Sequence, residues 1–272
     1  MGAVHGVYLK YVGLAAISTA GYSLLMSGPS GQENAARSLS VADTLPWWKL
    51  GSAAVLGYSA ILNATIAVLF KLEKGMSIIG KDRKTGKIPP WSYAIFFPFH
   101  LPTILYTEIH TRTGTMKVKT DNGETKRVPV PVASEVQPGW WVGGCYGHEL
   151  NKHWGGIIDL TVEFPERMES ESYLSIPTWD GVPATPAQLE EAATFAVEAH
   201  KKGDVMVHCA HGRGRSTTVM CACLVKAGLY DTWQDAFEKG IQPGRQCCKL
   251  NSLMRKALTG WQEQYVDGKK AQ

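Results

Sequence analysis

Residues 205–219 read VMVHCAHGRGRSTTV. The apolar run 205–207 is typical of a buried strand, and the run that begins at Ser216 is typical of a helix, so a turn joins a strand to a helix. Backbone N–H groups converge at such a turn, and the helix dipole adds positive potential that favours an anion such as phosphate. The turn contains a thiol, Cys209, close to Arg215. Such surroundings lower a thiol pKa from about 8.5 to roughly 3.5–7.5, so we expect a thiolate nucleophile.

Five positions of this stretch form the pattern H-C-x-x-G-x-x-R-S, namely His208, Cys209, Gly212, Arg215 and Ser216. The pattern resembles the signature of the cysteine-based protein tyrosine phosphatase superfamily, and the surrounding sequence resembles its dual-specificity branch most. The resemblance covers residues 128–265, about half of the chain. It implies an α/β fold in which helices flank a central sheet and the phosphate loop joins a strand to a helix. It also implies a phosphoric monoester hydrolase without a cofactor.

The resemblance and the chemistry together predict roles for the signature residues. Cys209 attacks phosphorus, and Arg215 binds the phosphoryl oxygens together with the N–H groups of the loop. Ser216 donates a hydrogen bond to the sulfur. Phosphate binding is further assigned to His208, Ala210, His211, Gly212, Arg213 and Gly214. Among these, the resemblance implies that His208 orients the loop. No metal is predicted, because arginine and the loop supply the positive charge.

A thiolate that cleaves a phosphomonoester expels an alkoxide or phenoxide, and protonating that oxygen is worth roughly 10²- to 10⁴-fold in rate. Asp180 lies in the loop PTWDGVPATP, residues 177–186. In the resembled family, an aspartate from such a loop is the general acid. Three other carboxylates fit this role less well, because they lie earlier in the chain, in or just after a predicted strand: Asp159, Glu163 and Glu166.

Hydrophobic patterning predicts the elements around the signature loop. Short strands are expected at 140–142, 157–160 and 173–176. Thr185, Pro186 and Gln188 form a capping box that begins a helix. Residues 128–132 read VPVPV and are expected to form an extended linker, because proline is disfavoured in a central strand.

The front of the chain carries three apolar segments. Residues 50–70 contain no charge and are long enough to cross a hydrocarbon core of about 30 Å. Residues 7–26 form a second transmembrane candidate, for which a signal peptide is the alternative interpretation. Residues 90–106 contain Pro98 and Pro102, which disfavour a regular spanning helix. We therefore expect a re-entrant or interfacial segment there.

Charge is distributed unevenly along the chain. Residues 1–127 carry 14 lysines and arginines against 7 acidic residues, whereas residues 128–272 carry 14 against 17. This balance favours a membrane partner over nucleic acid. Both flanks of the third apolar segment are basic, so the positive-inside rule predicts a helical hairpin with the catalytic domain on the cytosolic side of an integral membrane protein. The predicted organisation is a membrane region at 1–110, a basic, proline-containing linker at 111–132 and a phosphatase domain at 133–265.

Substrate and redox behaviour stay open in the sequence. A dual-specificity phosphatase acting on phosphoproteins and a phosphatase acting on phospholipid head groups both fit, and His211 and Arg213 add cationic character that suits the lipid. A module that binds phospho-groups without hydrolysing them is the non-enzymatic alternative. Of the six cysteines, only Cys209 is assigned to chemistry. Cys145 is the candidate for a disulfide with an oxidised Cys209.

Overall fold

The computed structural model describes residues 7–27, 46–119 and 124–268. It divides the chain into two compact units with a boundary between residues 74 and 75. The first unit contains helices α1 (Val7–Met26) and α2 (Trp47–Lys71), which pack against each other. The rings of Tyr11 and Phe70 lie 5.3 Å apart.

Both predicted apolar segments of the first unit are therefore helices. They are long and apolar enough to cross a membrane, but a buried helix or a signal sequence meets the same criterion. Their insertion in a membrane accordingly stays a prediction. Residues 28–45, which would connect the two helices, lie outside the described residues.

The second unit is built on a five-stranded sheet, whose strands are β3 (Ala133–Gln137), β4 (Trp140–Gly143), β5 (Gly156–Thr161), β6 (Tyr173–Thr178) and β7 (Val205–His208). Their order across the sheet is β3-β4-β7-β5-β6. Strand β3 pairs with β4 in antiparallel orientation, and the other neighbouring strands are parallel. The predicted strands are confirmed, and β3 is an addition at the edge of the sheet.

Strand β7 occupies the centre of this sheet and is buried along its whole length. On one face, Val205 and Val207 belong to the main core, which includes residues of helices α5 (Pro186–His200), α6 (Arg215–Lys226) and α8 (Ser252–Gln262). On the other face, Met206 belongs to a smaller cluster with Trp154. The short helix α7 (Trp233–Asp235) precedes α8. The predicted α/β class, with helices flanking a central sheet, is confirmed.

Two local features define the start of α5 and the end of α6. Thr185 Oγ1 accepts a hydrogen bond from the N–H of Gln188, whose side chain accepts one from the N–H of Thr185, which is the predicted capping box. After α6, Gly228 has a φ of 75°, a left-handed conformation that glycine adopts at low cost, and it ends the helix. Both ends were predictable because they depend on neighbouring residues.

Two segments ahead of the sheet differ from their predicted structure. Strands β1 (Thr115–Lys119) and β2 (Thr125–Pro129) form an antiparallel pair, so part of the expected linker at 111–132 is a two-stranded sheet. Residues 90–106 contribute to helices α3 (Pro90–Ile95) and α4 (Phe97–Thr113), which are separated at Phe96. Pro98 stands in the first turn of α4, where a missing N–H is tolerated, and Pro102 lies inside the helix.

Helices α3 and α4 belong to the same compact unit as the sheet. The ring of Phe99 on α4 lies 6.1 Å from that of Trp179, in an edge-to-face arrangement. Phe99 and Thr107 are buried. The boundary of the compact units therefore precedes the predicted domain boundary at residue 110, because α3 and α4 cluster with the sheet. Whether α3 and α4 also contact a membrane stays a prediction.

Candidate active site

The signature loop lies at the carboxyl end of β7, between His208 and the start of α6 at Arg215. Gly212 in the loop has a φ of 66°. A Cβ atom at this position would lie 2.5 Å from the carbonyl carbon of Gly143, so only glycine allows this close approach. The loop therefore turns tightly enough to direct backbone N–H groups towards one point.

The thiol of Cys209 is the centre of this arrangement and is 4% exposed. Its Sγ atom accepts a hydrogen bond from the N–H of Gly212 at 3.3 Å and lies 3.5 Å from Oγ of Ser216. Burial alone would raise the pKa of Cys209, but the charge of Arg215 and the hydrogen bonds from Ser216 and the backbone lower it. The site thus favours a thiolate, as expected for a nucleophile.

The guanidinium of Arg215 is 2% exposed and is held from several sides. Its Nη1 donates to the carbonyl oxygens of Thr178 at 2.6 Å and Leu160 at 3.1 Å, and Nη2 donates to Oε1 of Glu163 at 2.7 Å. The Nε–H group is buried and makes no hydrogen bond within the described residues. A buried donor without an acceptor costs free energy, so this group is available for a bound anion.

Asp180 lies in the loop between β6 and α5, with its Oδ1 3.5 Å from Nη2 of Arg215. Its side chain is 38% exposed, whereas the preceding Trp179 is buried. Solvent access suits a group that exchanges protons with a leaving group and with water. The other carboxylates weighed for this role are engaged elsewhere: Asp159 and Glu166 with His208, and Glu163 with Arg215.

A buried charge network lies behind the loop. His208 Nε2 lies 2.7 Å from Oε2 of Glu166 and 3.6 Å from Oδ1 of Asp159, and the ammonium of Lys81 also pairs with Asp159. Burial alone would lower the pKa of His208, but the two carboxylates raise it to about 9. Burial raises the pKa of Asp159, but Lys81 and His208 outweigh this effect and hold it at about 2.

The same network has a spacing compatible with a metal ion. Asp159, Glu166 and His208 offer ligand atoms within 4.8 Å of one another. The ammonium of Lys81 already pairs with Asp159, however, and His208 lies within ion-pair distance of both carboxylates. The contacts therefore fit a network of two cations and two carboxylates.

His211 and Arg213, the loop residues with cationic character, lie on the side of α4. The ring of His211 is 4.9 Å from that of His110, and burial together with the charges of His110 and Arg213 lowers its pKa to about 3. Within the described part of the chain, Arg213 forms no ion pair, and its buried Nε has no hydrogen-bond partner. No acidic side chain among these residues pairs with Arg213. Its positive charge is therefore not neutralised by an ion pair there.

Three residues around the site were not assigned by the sequence. Glu163 follows β5, the strand next to β7. Its place after that strand could have identified it, because the signature loop lies at the same end of the sheet. Lys81 and Arg245 carry no local signal. Arg245 is 1% exposed and donates to the carbonyl oxygens of Gly212 at 2.8 Å and His211 at 3.3 Å, so it supports the back of the loop.

All six cysteines are free. Burial raises the pKa of Cys145, as it does for Cys221. The pKa of Cys247 is lowered to about 6 by a hydrogen bond with Cys248 and by the charges of Arg245 and Arg213. A disulfide between Cys145 and an oxidised Cys209 stays a prediction.

No protein-family model matches the chain, and no curated protein matches its sequence. Several solved structures are similar to about half of it. Human DUSP28 is 22% identical, with a TM-score of 0.43, over 50% of this chain and 95% of that chain. PTPMT1 in complex with PI(5)P is 18% identical, with a TM-score of 0.42, over 51% of this chain and 99% of that chain. Human tyrosine phosphatase-like serine/threonine/tyrosine-interacting protein is 21% identical, with a TM-score of 0.42, over 49% of this chain and 97% of that chain. These similarities assign no activity to the chain.

Proposed function

We propose that this chain is a membrane-anchored phosphomonoesterase that acts through a cysteinyl-phosphate intermediate. The proposal is carried by the position of Cys209 Sγ, which lies beside the N–H of Gly212 and the hydroxyl of Ser216. Arg215 adds a buried Nε–H group that is available for an anion. A nucleophile and donors for phosphoryl oxygens thus share one loop, which is the requirement of phosphoryl transfer to a thiolate.

In the proposed reaction, Cys209 attacks phosphorus while the loop N–H groups and Arg215 bind the equatorial oxygens. Asp180 protonates the leaving oxygen and then activates the water that hydrolyses the cysteinyl-phosphate. Ser216 stabilises the departing sulfur through its hydroxyl. Glu163 keeps Arg215 oriented, because its carboxylate contacts Nη2 and leaves Nε for the substrate.

The proposed substrates are phosphorylated tyrosine, serine and threonine side chains, in keeping with the resemblance of residues 128–265 to the dual-specificity branch. Asp180 is partly exposed, so a side chain that protrudes from a protein surface can present its leaving oxygen to this carboxyl. The guanidinium of Arg213, a cation in the loop, would then contact acidic residues that flank the phosphorylated side chain.

A phospholipid head group is the second candidate substrate, and the surface of α4 favours it. This helix exposes three apolar side chains at intervals of four residues: Leu101 (66% exposed), Leu105 (57%) and Ile109 (54%). Exposed apolar side chains aligned along one helix face are typical of helices that lie at a membrane surface. The next residue, His110, contacts His211 of the signature loop, so this face adjoins the site.

A panel of substrates given to the full-length chain in mixed micelles tests the proposal. Phosphotyrosine and phosphothreonine peptides are compared with short-chain phosphoinositides and phosphatidylglycerophosphate. The lipid candidate is rejected if only the peptides turn over, and the protein candidate is rejected in the reverse case.

Two variants test the nucleophile in the same assay. We expect Cys209→Ser to abolish turnover and retain binding of tungstate, an analogue of phosphate, whereas Cys221→Ser, a buried thiol of α6 outside the site, stays active. Unchanged hydrolysis by Cys209→Ser would reject the nucleophile. Binding without turnover by the unmodified chain would favour the non-enzymatic module.

The proposed anchor is the hairpin of α1 and α2. The second compact unit, which contains the signature loop, would then lie on the cytosolic side. Single cysteines introduced at Lys84 and Ser38 test this orientation in sealed inside-out and right-side-out vesicles. An impermeant maleimide should label the two positions from opposite sides of the membrane. Labelling of both from the same side would contradict the hairpin.

A further inference from the structure

Residues 75–88 lie between α2 and α3. A buried lysine fixes them to the sheet. Lys81 is 8% exposed as a whole residue, and its side chain is 2% exposed. Lysine is almost never buried without a charged partner, because removing an ammonium group from water costs several kcal/mol. Its position in a connecting segment therefore requires an explanation.

The ammonium group of Lys81 uses all of its hydrogen-bonding capacity. It donates to the carboxylate of Asp159, to the carbonyl oxygen of Thr161 at 2.9 Å and to Oγ1 of Thr161 at 2.8 Å. An ammonium group has three donors, so its coordination is complete. No donor is left for a phosphate, which separates Lys81 from the residues that would contact substrate.

Asp159 links Lys81 to the signature loop. Its Oδ1 lies 3.6 Å from Nε2 of His208, the residue that immediately precedes Cys209. Tyr173 supplies a further hydrogen bond to Oδ2 of Asp159 at 2.8 Å. The path from Lys81 therefore consists of one carboxylate and one imidazole, and it ends at the residue bonded to Cys209 in the chain.

The charges of this network balance only when Lys81 is present. Asp159 and Glu166 contribute two negative charges, and protonated His208 contributes one positive charge. Without the ammonium group, one buried negative charge would remain uncompensated beside His208, the residue that precedes Cys209. A like charge disfavours an anion, so the thiolate would become less stable.

A second contact fixes the same segment. The N–H of Glu166 donates to the carbonyl oxygen of Gly86 at 3.0 Å. A Cβ atom at Gly86 would lie 2.5 Å from Cβ of Glu166 and from the hydroxyl of Tyr173, and Gly86 has a φ of 67°. The segment thus contacts the carboxylate of Asp159 through Lys81 and the backbone of Glu166 through Gly86.

We propose that Lys81 is a positioning residue of the phosphatase site, acting through Asp159 and His208 on Cys209. The segment that follows the second apolar helix would thereby form part of the catalytic unit. This inference rests on the proposed function, because it assigns Lys81 a part in the same reaction. It also makes a prediction about the thiol that can be measured without any substrate.

The experiment uses the full-length chain and compares Lys81→Met with Lys84→Met, an exposed lysine of the same segment. The pH dependence of Cys209 alkylation by iodoacetamide is followed by mass spectrometry of the signature peptide. We expect Lys81→Met to shift the midpoint upwards by about one pH unit and to lower kcat/KM on the order of tenfold, while Lys84→Met changes neither. An unchanged midpoint in Lys81→Met would overturn the proposal.

A double variant separates positioning from loss of folding. Lys81→Met combined with Asp159→Asn removes one charge of each sign, so the midpoint of Cys209 alkylation should return towards that of the unmodified chain. A midpoint that stays shifted in the double variant contradicts the charge network. If the unmodified chain hydrolyses no phosphomonoester, the proposed function fails, and the alkylation profiles still decide the role of Lys81.

Discussion

Oε1 of Glu163 lies 2.7 Å from Nη2 of Arg215, and both side chains are buried. A hydrogen bond between two ionised groups is roughly twice as strong as one between neutral groups. Glu163 is thus engaged with the cation expected to bind phosphate and does not face a leaving group. The contact also fixes which guanidinium nitrogen stays available, because Nε is the one without a partner among the described residues.

We expect Glu163→Gln to lower kcat/KM by about 10- to 100-fold, since a charged hydrogen bond contributes about 1.5–3 kcal/mol. The amide keeps the shape of the side chain but loses the charge that orients Arg215. Steady-state kinetics with a phosphomonoester measures the effect, and Glu169→Gln, an exposed glutamate of the same connection, serves as the control. An increase of kcat/KM would mean instead that Glu163 competes with phosphate for Arg215.

Asp180→Asn tests the proposed general acid. Because an amide cannot supply the proton, kcat should fall by roughly 10²- to 10⁴-fold for an alkyl phosphate, whose leaving oxygen needs protonation. An aryl phosphate with an acidic phenol should lose much less. The two substrates are compared with the same variant, and Asp82→Asn, in an exposed turn, serves as the control. Equal losses with both substrates would contradict proton donation.

The features that were predictable from the sequence are local ones. The stretch from Val205 to Ser216 combines a strand, a tight turn and a helix start, and neighbouring residues determine all three. The capping box at Thr185 is equally local. These two features fix the position of Cys209 and one end of the loop that contains Asp180, so the centre of the candidate site follows from short-range patterns.

The surroundings of the site depend on contacts between distant residues. Lys81 and Asp159 are 78 positions apart, and Arg245 lies 33 positions after Gly212. No periodicity or spacing relates such pairs, because the sheet and the packed helices bring them together. Helix α4 illustrates the same limit: Pro98 and Pro102 disfavour a regular helix, whereas Phe97–Thr113 forms one in which Phe99 is buried and lies against Trp179.

The thiolate of Cys209 should depend measurably on Ser216. Its pKa is lowered in spite of burial by Arg215 and by the hydroxyl of Ser216. Removal of that hydroxyl in Ser216→Ala should raise the pKa by about one unit, because one hydrogen bond to the charged form is lost. The thiolate predominates above its pKa, so the midpoint of alkylation should move to higher pH.

Alkylation must be followed on the peptide that contains Cys209, since the pKa of Cys247 is lowered to about 6 and this thiol will also react. Ser252→Ala, at the exposed start of α8, is the matched control. Identical profiles for Ser216→Ala and the unmodified chain would remove Ser216 from the stabilisation of sulfur.

Arg245 should be required for the shape of the signature loop. Besides its bonds to the loop carbonyls, its Nη1 donates to the carbonyl oxygen of Pro131 at 3.0 Å and to Oγ of Ser134 at 2.9 Å. The planar guanidinium spans these acceptors from several fixed directions, whereas the donors of lysine diverge from a single nitrogen. Arg245→Lys should therefore leave buried acceptors unpaired and lower the free energy of unfolding by about 1–3 kcal/mol.

The same variant should lower kcat/KM without changing the pH at which Cys209 is half alkylated, because the substitution keeps a positive charge at this position. Chemical denaturation and kinetics of the full-length chain measure both effects, and Arg255→Lys, on the exposed side of α8, is the control. A variant with normal stability and normal kcat/KM would show that the loop holds its shape through Gly212 and its own backbone contacts. Both hydrogen bonds that Arg245 makes to the loop among the described residues end on carbonyl oxygens, so its effect on activity should follow from loop displacement and not from charge.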